Sequence, residues 1–577
     1  MEEPPTAPLG CCSRTGRFFF AYWRAIVLVI TPMIAACVFF VDTNPAFRCL
    51  FTVIIMAIYW VTEALPLPIT SILPVIMFPL LGVLESDKTC MMFMRDTLVM
   101  FLGGIILALA IEFSNMHKRI ALKVISLIGC SHRKLNFGLM GVTMFVSMFI
   151  SNTAATAMMC PIIKAILEEL EQQGLCKMHL EPVPSGKPEG ATGAEEPKLP
   201  SKVTVCYYTG VAFAANIGGC GTLLGSGTNL TYKGIYESRF PDGNQVDFPG
   251  FMAFNVPGML VSTLLVYIYL QVVLMGLYRP KSAAAADATM SPEGEQTARR
   301  VLMARLEELG PMTSHEIGVA VLFVFSIFLY FTRQPGFMKG WADVLSTVRI
   351  QDSAPAIITV VLMFIIPANW KWLNYFKLKP AELPKVATTG LITWQFINDK
   401  MPWKLMFLLG GGFALAEGGR VTGMAHMIGQ SLSVLNELPV LVILFIALVA
   451  AHGLTEFASN VAICNIILPV LAEMSVAIEL HPMYLMLPAA VTCSYAFMLP
   501  VGTPPNALVV GLANIQSKDL MIAGAGAKVI TLLVTWSIFP LLGPLIYPEM
   551  NSFPEWAWSD KNATDDLMKQ YWLRYDE

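Results

Sequence analysis

The stretch Ser151-Asn152-Thr153-Ala154 lies inside a membrane-length apolar run, and Pro161 follows ten residues after the serine. The same text returns as Ser459-Asn460-Val461-Ala462, with Pro469 ten residues after its serine. A serine or asparagine is costly in hydrocarbon because no water is present to satisfy its polar atoms. Two copies in one register therefore predict a duplicated, membrane-buried polar site that binds a ligand.

The composition is that of a membrane protein. The chain has 577 residues, of which 55% are hydrophobic and 14% charged, and its mean hydropathy is +0.61. A helical span needs roughly 20 apolar residues, and the unbroken apolar runs do not resemble the alternating strands of a membrane barrel. The sequence therefore predicts an all-α polytopic membrane protein. The lack of a basic domain argues against a nucleic-acid partner.

Eleven apolar runs separated by polar breaks predict membrane spans. These runs are 25–41, 50–65, 67–84, 97–115, 203–240, 250–278, 316–332, 354–367, 403–425, 484–512 and 523–547. The two segments that contain the Ser-Asn motif are 135–167 and 438–475. Each is apolar except for the polar motif in its middle, and each is long enough for two helices that reach halfway across the membrane. We expect both to be re-entrant hairpins whose tips lie near the membrane midplane.

The distribution of basic residues predicts the orientation, because cytoplasmic loops carry an excess of lysine and arginine. One face receives Arg14, Arg17, Arg24, Lys118, Arg119, Lys123, Arg133, Lys134, Arg279, Lys281, Arg299, Arg300, Lys371, Lys377, Lys379 and Lys385. An odd number of spans places the termini on opposite sides, so we expect 1–24 in the cytoplasm and 548–577 outside. Asn562-Ala563-Thr564 is a glycosylation sequon that agrees with an outside location of the tail.

The apolar segments form an internal repeat. Phe101-Leu102-Gly103-Gly104 matches Leu408-Leu409-Gly410-Gly411 at an offset of 307, and the serines of the two Ser-Asn pairs differ by 459 − 151 = 308. Downstream, the run 225–229 (Gly-Ser-Gly-Thr-Asn) matches 502–506 (Gly-Thr-Pro-Pro-Asn) at an offset of 506 − 229 = 277, and the polar loop 168–202 accounts for the missing 31 residues.

Each half of this repeat contributes five crossings and one hairpin that returns to its own side. The second copy therefore enters the membrane from the opposite face, as in the inverted repeats of secondary transporters. The sequence predicts a first helix at 25–41 and two inverted repeats at 50–278 and 316–547. The polar segments 168–202 and 279–315 are predicted to be cytoplasmic loops with little regular structure.

The two matched loops are predicted to interrupt their helices. Pro504-Pro505 cannot continue a helix, and Gly225 and Gly227 are poor helix formers at the equivalent place. Unwound backbone at membrane depth is tolerated only where it lines a cavity or is buried in protein. Free N–H groups at helix N-termini suit carboxylates, and free carbonyls suit cations. The two tips and two loops contain no basic residue, so an anion would be held by dipoles and hydroxyls, with bound cations as a further source of charge.

These motifs in combination resemble the divalent anion/sodium symporter family of di- and tricarboxylate carriers. The resemblance covers about 45–550, and the runs 56–63 and 408–416 look like those of animal members. It implies a homodimer with a scaffold domain and a transport domain that moves by an elevator mechanism, carrying citrate, succinate and related intermediates across the plasma membrane. It implies exchange without a coupling cation, as in insect members, with sodium-coupled symport as the alternative. No cofactor is implied, and sodium is the candidate coupling ion.

The resemblance also implies roles for individual residues. The substrate carboxylates would meet Ser151, Asn152, Thr153, Gly227, Thr228, Ser459, Asn460, Val461, Thr503 and Pro504. A first cation site would comprise Ser147, Ser151, Asn152 and Gly225. A second cation site would comprise Thr455, Ala458, Asn460 and Gly502.

The chain departs from the family pattern at two of these positions. Val461 stands where many members have threonine, which removes a hydroxyl and makes that side of the pocket more apolar, as in citrate-preferring animal relatives. Thr228 stands where a proline is usual, which is expected to soften the cation site. The retained ligand types therefore leave both coupling modes open.

Two ionisable residues flank the second tip. His452 lies eight residues before Asn460, about two helical turns away on the same face. It is interpreted either as a packed, hydrogen-bonded side chain or as a sensor that makes transport pH-dependent. Glu456 is interpreted as a structural partner rather than a proton carrier.

Two other classes of protein remain as alternatives. An anion channel would need a continuous lining of pore residues and would not show trans-stimulation. A membrane-embedded enzyme is disfavoured because no His-Glu-x-x-His helix is present, and Ser226 lacks the Gly-x spacing of a nucleophile motif, since position 224 is leucine.

Overall fold

The structure is a computed structural model, and the regular structure it describes is almost entirely helical. The residues described are 11–129, 131–173, 177–179, 199–243, 246–282, 285–286, 288–289, 291–334, 339–348, 350–370, 375–376, 387–424, 427–428 and 437–557. Within these residues, pairing between extended segments is limited to two isolated bridges, His179 with Pro200 and Pro367 with Gly390. The all-α fold class predicted from the composition is confirmed.

The first half of the chain contains eleven α-helices within the described part. They are α1 (Cys11–Ala35), α2 (Pro45–Thr62), α3 (Leu67–Leu81), α4 (Ser86–Met91), α5 (Asp96–Phe113), α6 (Met116–Ile128), α7 (His132–Ser147), α8 (Asn152–Gln172), α9 (Lys202–Gly218), α10 (Gly227–Arg239) and α11 (Phe248–Val273). Short 3-10 turns follow α1 and α4, at Ala36–Phe40 and Met92–Met94.

The second half, again counted over the described residues, contains eleven more. They are α12 (Pro292–Glu308), α13 (Ser314–Arg333), α14 (Trp341–Leu345), α15 (Ser353–Ile365), α16 (Trp394–Lys400), α17 (Trp403–Val421), α18 (Val440–Leu454), α19 (Asn460–Ala477), α20 (Met483–Cys493), α21 (Pro504–Ala513) and α22 (Ser517–Ile546). Two 3-10 turns, Pro548–Asn551 and Glu555–Ala557, follow α22.

Local sequence signals explain where many of these helices begin. Asn44 caps α2 by accepting a hydrogen bond from the Phe47 N–H, and Pro45 occupies the first helical position, where a missing N–H costs nothing. Helix α13 begins with a capping box, in which Thr313 and Glu316 satisfy each other's backbone N–H groups. These starts are fixed by local chemistry before tertiary packing adds to them.

Several helices have the length and apolarity needed to cross a membrane. By length and composition, seven qualify among the described residues: Phe20–Phe40, Pro45–Thr62, Ser86–Phe113, Phe248–Val273, Ser314–Arg333, Asn460–Ala477 and Ser517–Ile546. Shorter apolar helices of 10–17 residues are Leu67–Leu81, Ser353–Ile365, Val440–Leu454, Met483–Cys493 and Pro504–Ala513. Helix is present in every one of the eleven runs predicted to span, although two of the runs are interrupted.

The interruptions occur where the sequence places them. The predicted run 203–240 is divided into α9 and α10, and the predicted run 484–512 is divided into α20 and α21. Each Ser-Asn segment is likewise two helices, α7 with α8 and α18 with α19, joined by a short turn at the motif. We call these helix pairs the first and second hairpins.

One prediction about the loops is wrong. The segment 279–315 is predicted to have little regular structure, yet Pro292–Glu308 forms the 17-residue helix α12. Ser291 caps this helix by accepting a hydrogen bond from the Gly294 N–H, and the Thr297 hydroxyl donates to the Gln173 side-chain oxygen over 2.7 Å. Packing against α6 and α8 stabilises a segment that its polar composition alone does not predict to fold.

Two further predictions concern segments that are only partly described. In the predicted loop 168–202, helix α8 continues to Gln172, and 180–198 lie outside the described residues. The glycosylation sequon at Asn562 also lies outside them.

Candidate functional site

Four helices begin at the four motifs singled out in the sequence. Helix α8 begins at Asn152, α10 at Gly227, α19 at Asn460 and α21 at Pro504. The preceding residues, Ser151, Ser226, Ser459 and Thr503, are the N-caps. The first N–H groups of a helix have no partner within the helix and carry partial positive charge. Each motif therefore presents a helix end whose partial positive charge suits an anion.

The two hairpin tips are built in the same way. The Ser147 hydroxyl donates to the Asn152 side-chain oxygen over 2.8 Å, and the Thr455 hydroxyl donates to the Asn460 side-chain oxygen over the same distance. Both hydroxyls also reach a carbonyl at the end of the next broken helix, that of Ala215 at 2.8 Å and that of Cys493 at 2.5 Å. Since 147 + 308 = 455 and 152 + 308 = 460, the repeat offset found in the sequence relates both residues of each pair.

The two loops are also held in the same way. The Asn229 amide donates to the carbonyls of Gly219 at 2.9 Å and Thr222 at 2.7 Å. The Asn506 amide donates to the carbonyls ten and seven residues before it, those of Ala496 at 3.0 Å and Leu499 at 3.2 Å. Both asparagines are fully buried, so each offsets the cost of unwound backbone at this depth by satisfying its carbonyls.

Two residues that the sequence analysis missed join the halves. The Asn216 amide donates to the Thr503 hydroxyl over 3.2 Å, and the Ser494 hydroxyl lies 3.3 Å from that of Ser226. Because 216 + 278 = 494 and 226 + 277 = 503, these are equivalent contacts made in opposite directions. Each half of the repeat thus holds the unwound loop of the other half.

Further contacts bring the four motifs to one place. The Asn152 amide faces the Asn216 side-chain oxygen at 3.5 Å, which connects the first tip to the second loop through Asn216. A Cβ atom at Gly227 would lie 2.8 Å from Val461 Cγ2, so the first loop abuts the second tip. Both tips and both loops therefore lie close together.

The side chains predicted to bind substrate differ in accessibility. Ser151 and Pro504 are exposed, and Asn152, Thr153, Gly227, Ser459 and Asn460 are half-buried. Thr228, Val461 and Thr503 are buried. The Thr228 hydroxyl lies 2.6 Å from that of Ser494, so in this structure it takes part in the hydrogen bonds that join the two halves of the repeat.

The residues predicted to bind cations also lie together in two groups. At the first site Ser147 bonds Asn152, and a Cβ at Gly225 would lie 2.8 Å from the Met148 carbonyl oxygen. At the second site Thr455 bonds Asn460, and a Cβ at Gly502 would lie 3.3 Å from the Glu456 carbonyl oxygen. The hydroxyl, amide and carbonyl oxygens in both groups are ligands suited to a hard cation such as sodium.

The second site has charged neighbours. The Glu456 carboxylate accepts hydrogen bonds from the N–H groups of Phe497, Met498 and Leu499, at 3.0 to 3.3 Å. It also pairs with the Lys528 ammonium at 3.0 Å. Glu456 is thus a structural partner of the second loop, in agreement with the sequence interpretation. Lys528 was missed because it lies 68 residues after Asn460 in an otherwise apolar run.

His452 is packed inside the protein. Its side chain is 1% exposed, and its ring centroid lies 6.1 Å from that of Tyr495. It is one helical turn before Glu456 on the first arm of the second hairpin. Its role as a pH sensor stays a prediction.

A separate cavity lies further along α19. Its lining is mostly apolar and includes Val53, Leu415 and Pro469, and Arg239 and Glu473, which form an ion pair, lie at its polar side. Its lining contains none of the residues predicted to bind substrate or cations.

Broken helices that recur in two sequence repeats, with their N-termini close together, are typical of secondary transporters. Comparison with known proteins is consistent with this class. The family model described as "Sodium:sulfate symporter transmembrane region" matches residues 20–546. The chain belongs to this family, which is one of transporters rather than enzymes.

Similar proteins cover nearly the whole chain. Protein I'm not dead yet of Drosophila melanogaster is 51% identical over 561 residues, which are 96% of this chain and 94% of that protein. Human solute carrier family 13 member 2 is 35% identical, covering 94% of this chain and 96% of its own. The Na(+)/dicarboxylate cotransporter 3 of Rattus norvegicus is 34% identical, covering 92% and 94%. Among solved structures, the YdaH transporter of Alcanivorax borkumensis has a TM-score of 0.46 and 14% identity, covering 79% of this chain and 86% of its own.

Proposed function

We propose that this protein carries di- and tricarboxylates, such as citrate and succinate, across the plasma membrane by exchange for another carboxylate. The observation that supports this function most directly is the meeting of four helix N-termini at Asn152, Gly227, Asn460 and Pro504. Helix N-termini bind carboxylates through free N–H groups and the helix dipole.

The number of helix ends favours a substrate with more than one carboxylate. Two ends belong to hairpin tips and two to unwound loops, so separate carboxylates of one molecule can meet separate ends. The tips add half-buried polar groups from Asn152, Thr153, Ser459 and Asn460. The cotransporter of rat is named for dicarboxylates, which agrees with this substrate class.

In this proposal Ser151, Asn152 and Thr153 contact the substrate from one side, and Ser459, Asn460 and Val461 contact it from the other. Gly227, Thr228, Thr503 and Pro504 close the site from the loops. A binding role for Thr228 requires its hydroxyl to exchange Ser494 for the substrate.

Sodium-coupled symport is the second candidate mechanism. The observation that favours it is the pairing of Ser147 with Asn152 and of Thr455 with Asn460, which leaves oxygen ligands beside both helix ends. The family description and the name of the rat relative both include sodium.

We further propose that the hairpins and broken helices move together as the transport domain of a homodimer, against a scaffold formed by the other helices. The contacts of Asn216 with Thr503 and of Ser494 with Ser226 support this, since they tie the two halves of the site into one body. The cytoplasmic N-terminus and extracellular C-terminus belong to the same proposal. If glycosidase treatment lowers the mass of the protein, and the Asn562→Gln variant shows no such decrease, the tail lies outside the cell.

The substrate proposal is tested with purified protein in liposomes. We expect saturable uptake of radiolabelled citrate that unlabelled succinate inhibits. Ser459→Ala should lower the apparent affinity for citrate. The control is Ser537→Ala, which removes an exposed hydroxyl from the second half of α22 and should leave the affinity unchanged. Uptake that does not saturate would instead favour an anion channel, and equal effects of the two variants would contradict the assigned site.

A further inference from the structure

A charged pair lies beside the second tip, in a part of the molecule that otherwise uses neutral groups. The Lys528 ammonium lies 3.0 Å from the nearer Glu456 carboxylate oxygen, and the two side chains are 18% and 4% exposed. Lys528 belongs to α22, and Glu456 lies in the turn between α18 and α19. Moving both charges of such a pair out of water costs free energy, so charged residues inside a membrane usually mark a functional site.

Glu456 lies directly at the second candidate cation site. Its backbone is between Thr455 and Ala458, two of the predicted ligands. A Cβ atom at Gly502, a third predicted ligand, would lie 3.4 Å from a Glu456 carboxylate oxygen. The negative charge of Glu456 is thus within contact distance of the place where a cation would bind.

Among the described residues, the first candidate cation site has no such pair. At the repeat offset, the residue equivalent to Glu456 is Met148, because 456 − 308 = 148. There the loop is held by a neutral contact, in which the Thr222 hydroxyl donates to the Met148 carbonyl oxygen over 2.5 Å. The two halves share their asparagine and hydroxyl contacts, and the charged pair distinguishes the second half from the first.

The charge of Lys528 decides what the second site attracts. A carboxylate without a partner in a poorly solvated site strongly favours a nearby cation, because opposite charges attract more when water does not screen them. The ammonium already satisfies Glu456, so the carboxylate offers little to a sodium ion at the neighbouring oxygens. The lysine is part of the chain and accompanies the site whether or not substrate is bound.

We propose that Lys528 is a tethered cation, which supplies at the second site the positive charge that a bound sodium ion would otherwise supply. Lys528 is a positioning residue that acts through Glu456 and does not touch the substrate. This inference rests on the proposed exchange function, because a carrier with a built-in charge needs no cation from solution at that site.

The test compares citrate uptake into proteoliposomes in sodium chloride and in choline chloride. The unmodified chain should show equal uptake in the two salts. Lys528→Met, which removes the charge and keeps the length, should be stimulated by sodium about fivefold or more, the usual size of coupling between two binding sites. Glu456→Gln combined with Lys528→Met removes both charges and should again be indifferent to sodium. If Lys528→Met does not fold, Lys528→Gln carries the same prediction.

A matched control is available in Lys233, a second buried lysine in ion pairs. Its ammonium lies 2.8 Å from Glu237 and 3.0 Å from Asp352, in none of the four motifs. Lys233→Met should lower uptake equally in both salts. Binding gives an independent readout, since sodium should raise the melting temperature of purified Lys528→Met and leave that of the unmodified chain unchanged.

The outcomes separate this inference from the function on which it rests. No citrate uptake by the unmodified chain in either salt would contradict the proposed function. Sodium-dependent uptake by the unmodified chain would overturn both the exchange mechanism and the tethered cation. Sodium-independent exchange by the unmodified chain, together with a Lys528→Met variant that gains neither sodium-stimulated uptake nor a sodium-dependent melting shift, would overturn the tethered cation alone.

Discussion

The side-chain amide of Asn216 donates a hydrogen bond to the hydroxyl of Thr503, 3.2 Å away and 287 residues later in the chain. Asn216 lies in the last turn of a helix in the first repeat, and Thr503 caps a helix in the second. The equivalent contact in the opposite direction joins Ser494 to Ser226. The site is therefore held together by polar contacts between the repeats as well as by apolar packing.

Removing the Asn216 amide should loosen this connection. Asn216→Ala leaves the Thr503 hydroxyl without its buried donor, at a cost of about 1–3 kcal/mol, and the Ala496 carbonyl keeps only the donor from Asn506. We expect a lower melting temperature and weaker citrate binding. Thr209→Val, which removes a buried hydroxyl bonded only within its own helix, should have a smaller effect on binding. Equal losses of citrate affinity in the two variants would contradict a special role for Asn216.

The close approach of Gly227 to Val461 predicts a pair of compensating substitutions. A Cβ at Gly227 would lie 2.8 Å from Val461 Cγ2, so Gly227→Ala overpacks the boundary between the first loop and the second tip. We expect apparent citrate affinity to fall about tenfold, equivalent to about 1.4 kcal/mol of overpacking. Val461→Ala in the same chain should restore part of it. Failure of the double variant to recover, with normal amounts of folded protein, would show that the contact does not limit binding.

The unequal residues at the two tips should influence substrate preference. Val461→Thr adds a hydroxyl in nearly the same volume and should shift the ratio of succinate to citrate uptake upward by about fivefold, the size of a hydrogen bond worth about 1 kcal/mol. Thr153→Val makes the opposite change at the first tip and should move the ratio the other way. Competition between the two labelled substrates measures this ratio directly, and an unchanged ratio in both variants would place selectivity elsewhere.

His452 is predicted to contribute to pH dependence. Its imidazole is buried against Tyr495, one turn before Glu456, and the Lys528 ammonium pairs with that carboxylate. Burial and the nearby Lys528 ammonium both disfavour a positive charge on the imidazole, so the ring should gain a proton only in acid, and uptake should fall as the pH drops below about 6. His452→Gln should flatten this profile when the concentration of fully ionised citrate is held constant. A variant that keeps the profile of the unmodified chain would identify His452 as a packing residue.

Much of the fold follows from local signals in the sequence. The Gly-Ser-Gly and Thr-Pro-Pro motifs predict breaks between α9 and α10 and between α20 and α21, because glycine and proline residues disfavour a continuous helix. The paired Ser-Asn texts predict the two hairpins. Helix α12 also had a local signal, since Ser291, Pro292 and Glu293 are a cap, a first-turn proline and a first-turn acid, but the surrounding polar composition outweighed it.

The residues that complete the site could not be identified in this way. Asn216 and Ser494 are single polar residues in apolar helices, and their partners lie 287 and 268 residues away. The sequence offered one indication of their equivalence, which is that they are 278 residues apart, close to the offset of 277 between the two loops. This spacing is noticed only when the comparison of the two repeats includes the residues that precede the loops. Lys528 had no equivalent in the repeat motifs, so only the packing of α22 reveals its contact with Glu456.

The most direct measurement is radiolabelled citrate uptake into proteoliposomes, with and without sodium and with and without succinate inside. We predict saturable uptake that requires internal succinate and is the same in sodium and choline. Concentrative uptake into vesicles without internal carboxylate, present in sodium and absent in choline, would contradict exchange and establish sodium-coupled symport.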